Sequence, residues 1–219
     1  MARIAVLIDN KFEDSEYKKP TTAYKKAKHE LVILGVKKGT VTGESGGLKV
    51  KVEKVVSDVS ADYFDVLFIP GGYSPDQLRS HDEVVTFVKQ FAATGRPIFF
   101  ICHGAQLLIT ADVLKGRKVT GWKSIIQDIK NAGAEYLDAE VVEDGNLISS
   151  RCPADIPAFI KATLAKLSKA AAPRGQDAPK EPSDFVNPAN QEKNNDYKDD
   201  IMDADSTAVS SGFPNDIPK

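Results

Sequence analysis

Four short apolar runs, RIAVLID, LVILGV, FDVLFIP and PIFFI, recur along the first half of a 219-residue chain, each parted from the next by a segment long enough to hold a helix. A continuous run of strand length without alternation is the pattern of a strand buried on both faces, as in a parallel sheet. Parallel neighbours need crossover connections, and helices supply them. The expected fold is therefore a three-layer α/β/α sandwich with a mostly parallel central sheet.

The connecting segments read accordingly. Pro20 suits an early helical position, so Thr21 to Glu30 reads as a helix ending near His29. Val84, Phe87, Val88 and Phe91 have the spacing of one apolar helix face, and Gly95 stands where that helix stops. Gly104 to Val113, Ile125 to Ala132 and Ile156 to Leu167 read as further helices. Gly46-Gly47 marks a turn before LKVKV, and Asp144-Gly145 suits a tight hairpin between AEVVE and LISS.

Composition shifts near Ser168. Residues 168–219 hold six of the twelve prolines, no leucine, and ten acidic against six basic side chains. A segment so poor in large apolar groups buries too little surface to offset its ordering entropy. The expected organisation is one α/β domain over residues 1–167 and a Pro-rich acidic tail over 168–219, in which Phe185, Val186, Ile201, Phe213 and Ile217 are candidate anchors on the domain or on a neighbouring subunit. The net charge of −2 provides no broad basic field, so neither sequence-specific nucleic-acid binding nor an anionic membrane surface is indicated. Near the N-terminus only five apolar residues separate Arg3 from Asp9, too few for a secretory core. Two cysteines, Cys102 and Cys152, are too few for a disulfide scaffold and fit a reducing compartment. The expected location is cytoplasmic.

Sites in open parallel sheets form beyond the carboxyl ends of the strands. Asp9 to Glu13, Gly71-Gly72 and Cys102-His103 all fall at such ends. An unpaired cysteine is also a common core residue, but the convergence of three segments favours a reactive Cys102. A sharp strand-to-helix turn at ICHGA would project the sulfur into the crevice beside free helix amides, an environment expected to favour the thiolate, with Gly104 and Ala105 small enough to let the helix approach. The amides of Gly72 and His103 are candidate oxyanion donors. Glu13, first after the strand, is the candidate for a hydrogen bond to the sulfur. Glu16 reads mainly as a solvated carboxylate at a helix start. His103 is a general base or an orienting group, expected to point away from Cys102 unless a carboxylate turns the ring; Asp76 is the candidate, with a helix cap as its other reading. Cys152 reads as an incidental thiol, and Arg151 with Asp155 as a local ion pair. The three histidines, His29, His81 and His103, lie far apart, and no phosphate loop or dinucleotide fingerprint occurs. No metal and no cofactor are called for.

The segments KFEDSEY, IPGGYSPDQLR, ICHGAQLLI, VLKGRKVTGW and NAGAEYLDAEVVEDGNLISSR with the following PAD resemble, in order over residues 3–167, the PfpI-type endopeptidase family. That family is related to the parkinsonism-associated deglycase and to bacterial general stress proteins, within the class I glutamine amidotransferase-like superfamily. The resemblance implies a flavodoxin-like fold and a homodimer or higher homo-oligomer. It places the family's reactive cysteine at Cys102, its histidine at His103, the thiol-bonding glutamate at Glu13 and the oxyanion amides at Gly72 and His103. The peptidase branch orients its histidine with a Glu from a neighbouring subunit, and Asp76 stands at that position. The deglycase branch carries a His where this chain has Trp122, so His103 would serve instead. Ala105 stands where many relatives have Pro.

The resemblance assigns a site more securely than a substrate. The first reading is a cofactor-free thiol enzyme of the stress response that acts on small reactive carbonyls such as methylglyoxal or glyoxal, or on their adducts with protein or nucleotide amines. The second is an intracellular cysteine endopeptidase acting on unfolded protein and completed in an oligomer. The third is a redox-sensing chaperone without turnover.

Overall fold

The computed structural model describes residues 1–170. Its strands are β1 (Arg3–Leu7), β2 (Glu30–Gly35), β3 (Gly39–Thr42), β4 (Lys49–Val52), β5 (Lys54–Val55), β6 (Val66–Ile69), β7 (Ile98–Ile101), β8 (Lys118–Val119), β9 (Glu135–Tyr136), β10 (Val141–Asp144) and β11 (Leu147–Ser150). Its α-helices are α1 (Asp14–Lys26), α2 (Ser74–Leu78), α3 (Asp82–Ala93), α4 (Ala105–Thr110), α5 (Ile126–Asn131) and α6 (Ile156–Ala170). Seven strands form one sheet in the order β10-β11-β7-β6-β1-β2-β5. Every pairing in it is parallel except the β10-β11 hairpin.

The apolar runs are continuous because both faces of the sheet are covered. Along β1, Ala5 and Leu7 join a core with α2, α3, α4 and α5, whereas Ile4 and Val6 join a second core with α1 and α6. β6 and β7 divide likewise: Leu67, Ile69, Ile98 and Phe100 face one layer, and Val66, Phe68, Phe99 and Ile101 the other. This is the period-two alternation of a strand with two buried sides. Val84, Phe87, Val88 and Phe91 are all buried on α3, and Gly95 follows with φ +69°.

Two local expectations shift. α1 starts at Asp14 instead of near Thr21, so Pro20 lies inside the helix. Its missing amide leaves the Glu16 carbonyl without an i+4 donor. The early start has a local cause: the Glu13 side chain caps the helix by accepting from the Ser15 amide at 3.2 Å. At the other end, α6 runs three residues past the buried Leu167. The tail expected from Ser168 begins within α6, and the rest of it from 171 onward, with its five apolar anchors, lies outside the described residues.

The order of strand addition reverses at the parallel pair β1 and β6, since β2 lies on one side of this pair and β7 on the other. That is the switch point of an open α/β sheet, where strand ends leave a crevice. No helix among the described residues is long and apolar enough to cross a membrane.

Candidate active site

The three segments singled out at strand ends do meet. The Glu13 amide donates to the Gly71 carbonyl at 3.1 Å, and Phe12 bridges Gly72 in antiparallel fashion. Tyr73 and Ser74 donate to the Lys11 carbonyl at 2.8 and 3.3 Å, and the Ser74 hydroxyl accepts from the Asp9 amide at 2.7 Å. The segment after β1 is thereby zipped to the segment after β6. Gly72 makes this possible with φ +76°; a Cβ there would strike the Glu13 amide and the Lys11 carbonyl.

Cys102 follows β7 with φ +59°, a left-handed conformation that L-residues adopt at a cost. A 3-10 turn over Cys102–Gly104 then leads into α4. Only 7% of the cysteine is exposed, so the side chain is buried at the strand end. The amides of His103 and Gly72 are both directed at it and favour its ionised form.

The carboxyl against this thiol is Glu16, not Glu13. Glu16 is fully buried, and its Oε2 accepts from the Gly71 amide at 2.9 Å. Its Oε1 is buried without a hydrogen-bond partner, and the side chain is electrostatically coupled to Cys102. Gly71 provides the space, because a Cβ there would lie 2.5 Å from Oε2 and 2.7 Å from the Cys102 Cβ. Glu13 is turned away: its Oε1 accepts from the Ser15 hydroxyl at 2.7 Å, and its Oε2 bonds the Ser45 hydroxyl. The physical reason is helical phase. With α1 starting at Asp14, the buried face runs through Glu16, Tyr17, Pro20, Thr21 and Tyr24, whereas Glu13 is spent as the cap. That stripe is visible in the sequence once the helix start is placed correctly.

Burial pushes Glu16 up to about 8, against the opposing pull of the Gly71 amide and the Cys102 thiol. At neutral pH Glu16 therefore holds its proton. Burial also pushes the Cys102 thiol up, and an ionised Glu16 would add repulsion, while the His103 and Gly72 amides act the other way. The expected thiolate-favouring environment is thus outweighed at rest: desolvation exceeds what two amides supply. A protonated Glu16 changes the balance, because it replaces a repelling charge with an O–H donor.

His103 does not point away from its neighbour. Its Nδ1 is 3.5 Å from the Cys102 sulfur, because the left-handed turn at Cys102 takes that residue out of the strand's alternation. Burial lowers the imidazole's proton affinity, with the negative charges of Asp76 and Glu44 opposing. Asp76 does not orient the ring by contact within the chain. It accepts from Arg79 Nη2 at 2.6 Å and from Gln106 Nε2 at 3.5 Å, and the cap position of α2 is Tyr73. The group at His103 Nε2 is Ser124, whose Oγ lies 3.2 Å away. Nothing in the residue pattern pointed to Ser124. It arrives because the Trp122 amide donates to the Cys102 carbonyl at 3.2 Å and carries the following turn to the histidine.

Cys152 is a half-buried free thiol 3.7 Å from Asp155. Arg151 makes the expected pair with Asp155, bidentate at 2.8 and 3.0 Å, and also reaches Asp138. No group of three or more metal-ligating side chains occurs among the described residues.

The chain is similar to known proteins over most of the described residues. Protein/nucleic acid deglycase 2 of Escherichia coli is 49% identical over 164 residues, spanning 74% of this chain and 95% of its own. General stress protein 18 of Bacillus subtilis is 50% identical over 169 residues, 76% of this chain and 98% of its own. Among solved structures, a two-domain protein from Anabaena variabilis with DJ-1/ThiJ/PfpI-like and ferritin-like domains matches with a TM-score of 0.75 and 36% identity, covering 83% of this chain and 53% of that one. With residues 2–166 matched by the family's profile, the chain belongs to the DJ-1/PfpI family.

Proposed function

We propose that this protein is a cofactor-free, cysteine-dependent enzyme that acts on small reactive carbonyls, methylglyoxal or glyoxal, and on the early adducts they form with amines of proteins and nucleotides. The observation that carries the reading is the pairing of a buried Cys102 with a buried carboxyl, Glu16, whose burial favours its neutral form, beside the amides of Gly72 and His103. An aldehyde is electrophilic enough to be attacked by a thiol that ionises only as it reacts. The names of the two relatives, a deglycase and a stress protein, agree with it.

In the proposed reaction the Cys102 sulfur bonds to the aldehyde carbon, and the carbonyl electron pair moves to oxygen. The thiol proton passes to His103 Nδ1 and then to that oxygen, giving a hemithioacetal. The amides of Gly72 and His103 hold the developing oxyanion. For methylglyoxal, moving hydrogen from the former aldehyde carbon to the neighbouring ketone carbon gives a thioester of lactate, with Glu16 and His103 relaying the proton. Water then cleaves the thioester and restores the thiol. The net change is addition of one water with no external oxidant.

A peptide bond is a poorer electrophile and calls for a thiolate-imidazolium pair supported by a carboxylate on the histidine. Asp76 is instead bonded to Arg79, which favours the carbonyl reading over the peptidase one. Both cysteines are free thiols, in keeping with work in the cytoplasm. The test is to incubate the protein with methylglyoxal and follow lactate. Turnover that disappears in Cys102→Ser supports the reading; no lactate, or equal lactate from the variant, rejects it.

A further inference from the structure

His103 has one nitrogen facing the sulfur, and its other nitrogen is held by a side chain from the same chain that no sequence motif indicates. We propose that Ser124 is a positioning residue for His103, whose hydroxyl keeps the ring in line with Cys102 while allowing both neutral tautomers. The proposal rests on the reading of Cys102 and His103 as reacting groups.

The hydroxyl is well anchored. Ser124 lies in the 3-10 turn Lys123–Ile125. At its near end the Trp122 amide donates to the carbonyl of Cys102 itself, and the Ile125 amide donates back to the Trp122 carbonyl at 3.1 Å. At its far end the Ile125 side chain is buried in the core. The segment of the nucleophile and histidine and the turn that carries the serine are therefore tied together by a backbone hydrogen bond. Trp122 flanks the imidazole at 6.3 Å between ring centroids.

The chemistry of a hydroxyl differs from that of a carboxylate at this position. A serine both donates and accepts, whereas an ionised carboxylate only accepts. When Oγ accepts from Nε2–H, the Nδ1 lone pair faces the sulfur and can take the thiol proton. When Oγ donates to Nε2, Nδ1–H faces the crevice and can give a proton to an oxyanion there. A carboxylate would fix the first state and stabilise the imidazolium. The charges that face the ring are Asp76 on α2, itself bonded to Arg79, and Glu44 on the β3-β4 connection; Lys123 precedes Ser124, its ammonium 5.5 Å from the Trp122 ring centroid. Ser124 adds hydrogen bonding without adding charge to that set.

The experiment compares the full chain with Ser124→Ala, Ser124→Thr and Ser124→Asp. The imidazole nitrogens of His103 are read by nitrogen-15 NMR, Cys102 reactivity by the pH profile of iodoacetamide alkylation, and turnover with methylglyoxal. Position 124 is exposed, so the fold is not at stake. Ser124→Ala is expected to move the nitrogen shifts and lower kcat/KM roughly three- to tenfold, the worth of one neutral hydrogen bond, with most of the loss in kcat. Ser124→Thr should restore both. Ser124→Asp should give the Nε2–H pattern, raise the histidine's titration and speed alkylation below pH 7. Unchanged nitrogen shifts in both the Ala and Asp variants overturn the proposal. If the shifts and alkylation respond as expected but no variant or parent forms lactate, the positioning role stands and the carbonyl reading fails.

Discussion

Glu16 on the first turn of α1 and Cys102 at the end of β7 are brought together across Gly71, whose missing side chain leaves room for the carboxyl and the cysteine side by side. The carboxyl beside the thiol is thus carried by a helix face, and burial raises its pKa.

Exchanging each of the two neighbouring glutamates separates their roles. Glu16→Gln keeps an N–H donor beside the sulfur but cannot pass a proton, so lactate formation is expected to fall at least about a hundredfold, while iodoacetamide alkylation of Cys102 stays within several-fold. Glu13→Gln, which touches the Ser15 and Ser45 hydroxyls, should cost less than about tenfold. Steady-state rates for the two variants decide the matter, and the reverse order would return the role to Glu13.

The raised Glu16 also makes stability depend on pH. The unfolded chain gives up this proton near 4.5 and the folded chain near 8, so in between the folded state binds more protons. Stability contributed by the protonated acid is fully present below about 4.5 and is lost as pH rises through about 8. Urea unfolding at pH 5 and pH 8.5 should show a loss in the parent that is markedly smaller in Glu16→Gln.

Gly71→Ala places a methyl group between the Glu16 carboxyl and the Cys102 Cβ. Something must move, and both neighbours are held by buried backbone. The expected result is a folded protein destabilised by about 1–3 kcal/mol, with activity reduced far more than Glu13→Gln reduces it. Circular dichroism and lactate assays on the same preparation separate the two effects.

Cys102→Gly should be unusually well tolerated for a buried position. Glycine relieves a left-handed φ that costs an L-residue roughly 1–2 kcal/mol, which offsets the lost burial of a small thiol, about 1 kcal/mol. Unfolding free energy is expected within about 1 kcal/mol of the parent. Cys102→Val, β-branched at the same φ, should lose about 2 kcal/mol or more.

Asp14 fastens the β3-β4 connection over the site. It accepts from the Leu48 amide at 2.7 Å and the Ser45 amide at 3.0 Å; burial acts upward on its pKa, yet these amides and that of Gly46 hold it below the usual carboxylate value. Asp14→Asn should therefore lower the exchange protection of the Ser45 and Leu48 amides about tenfold, and in the parent that protection, taken relative to the unstructured rate at each pH, should fall as pH drops below 3.8 and this carboxylate takes up its proton.

The sheet was legible because its strands are buried on both faces and so write themselves as uninterrupted apolar runs. The turn at Cys102 and the amides of Gly72 and His103 followed from strand ends alone. Which glutamate lies against the thiol is not legible, because a carboxylate at a helix start reads as solvated and only the phase of α1 from Asp14 turns Glu16 inward with Tyr17 and Tyr24. The direction of the His103 ring depended on a left-handed φ at a non-glycine residue, which sequence does not announce. Ser124 was out of reach for a different reason, since its place depends on a single backbone bond from Trp122 to Cys102.

The groups that would make and break bonds all hang from strand ends or from the inward face of α1, whereas Ser45, Glu44 and Ser124 come from a hairpin tip and a surface turn. The interior of the proposed reaction chamber is thus structural bedrock, and the hairpin tip beside it is furniture. Glu44 and Ser45 at the hairpin tip can be exchanged to admit a bulkier or differently charged guest, whereas Ser124, which holds the ring of His103, belongs with the corner proposed to do the chemistry.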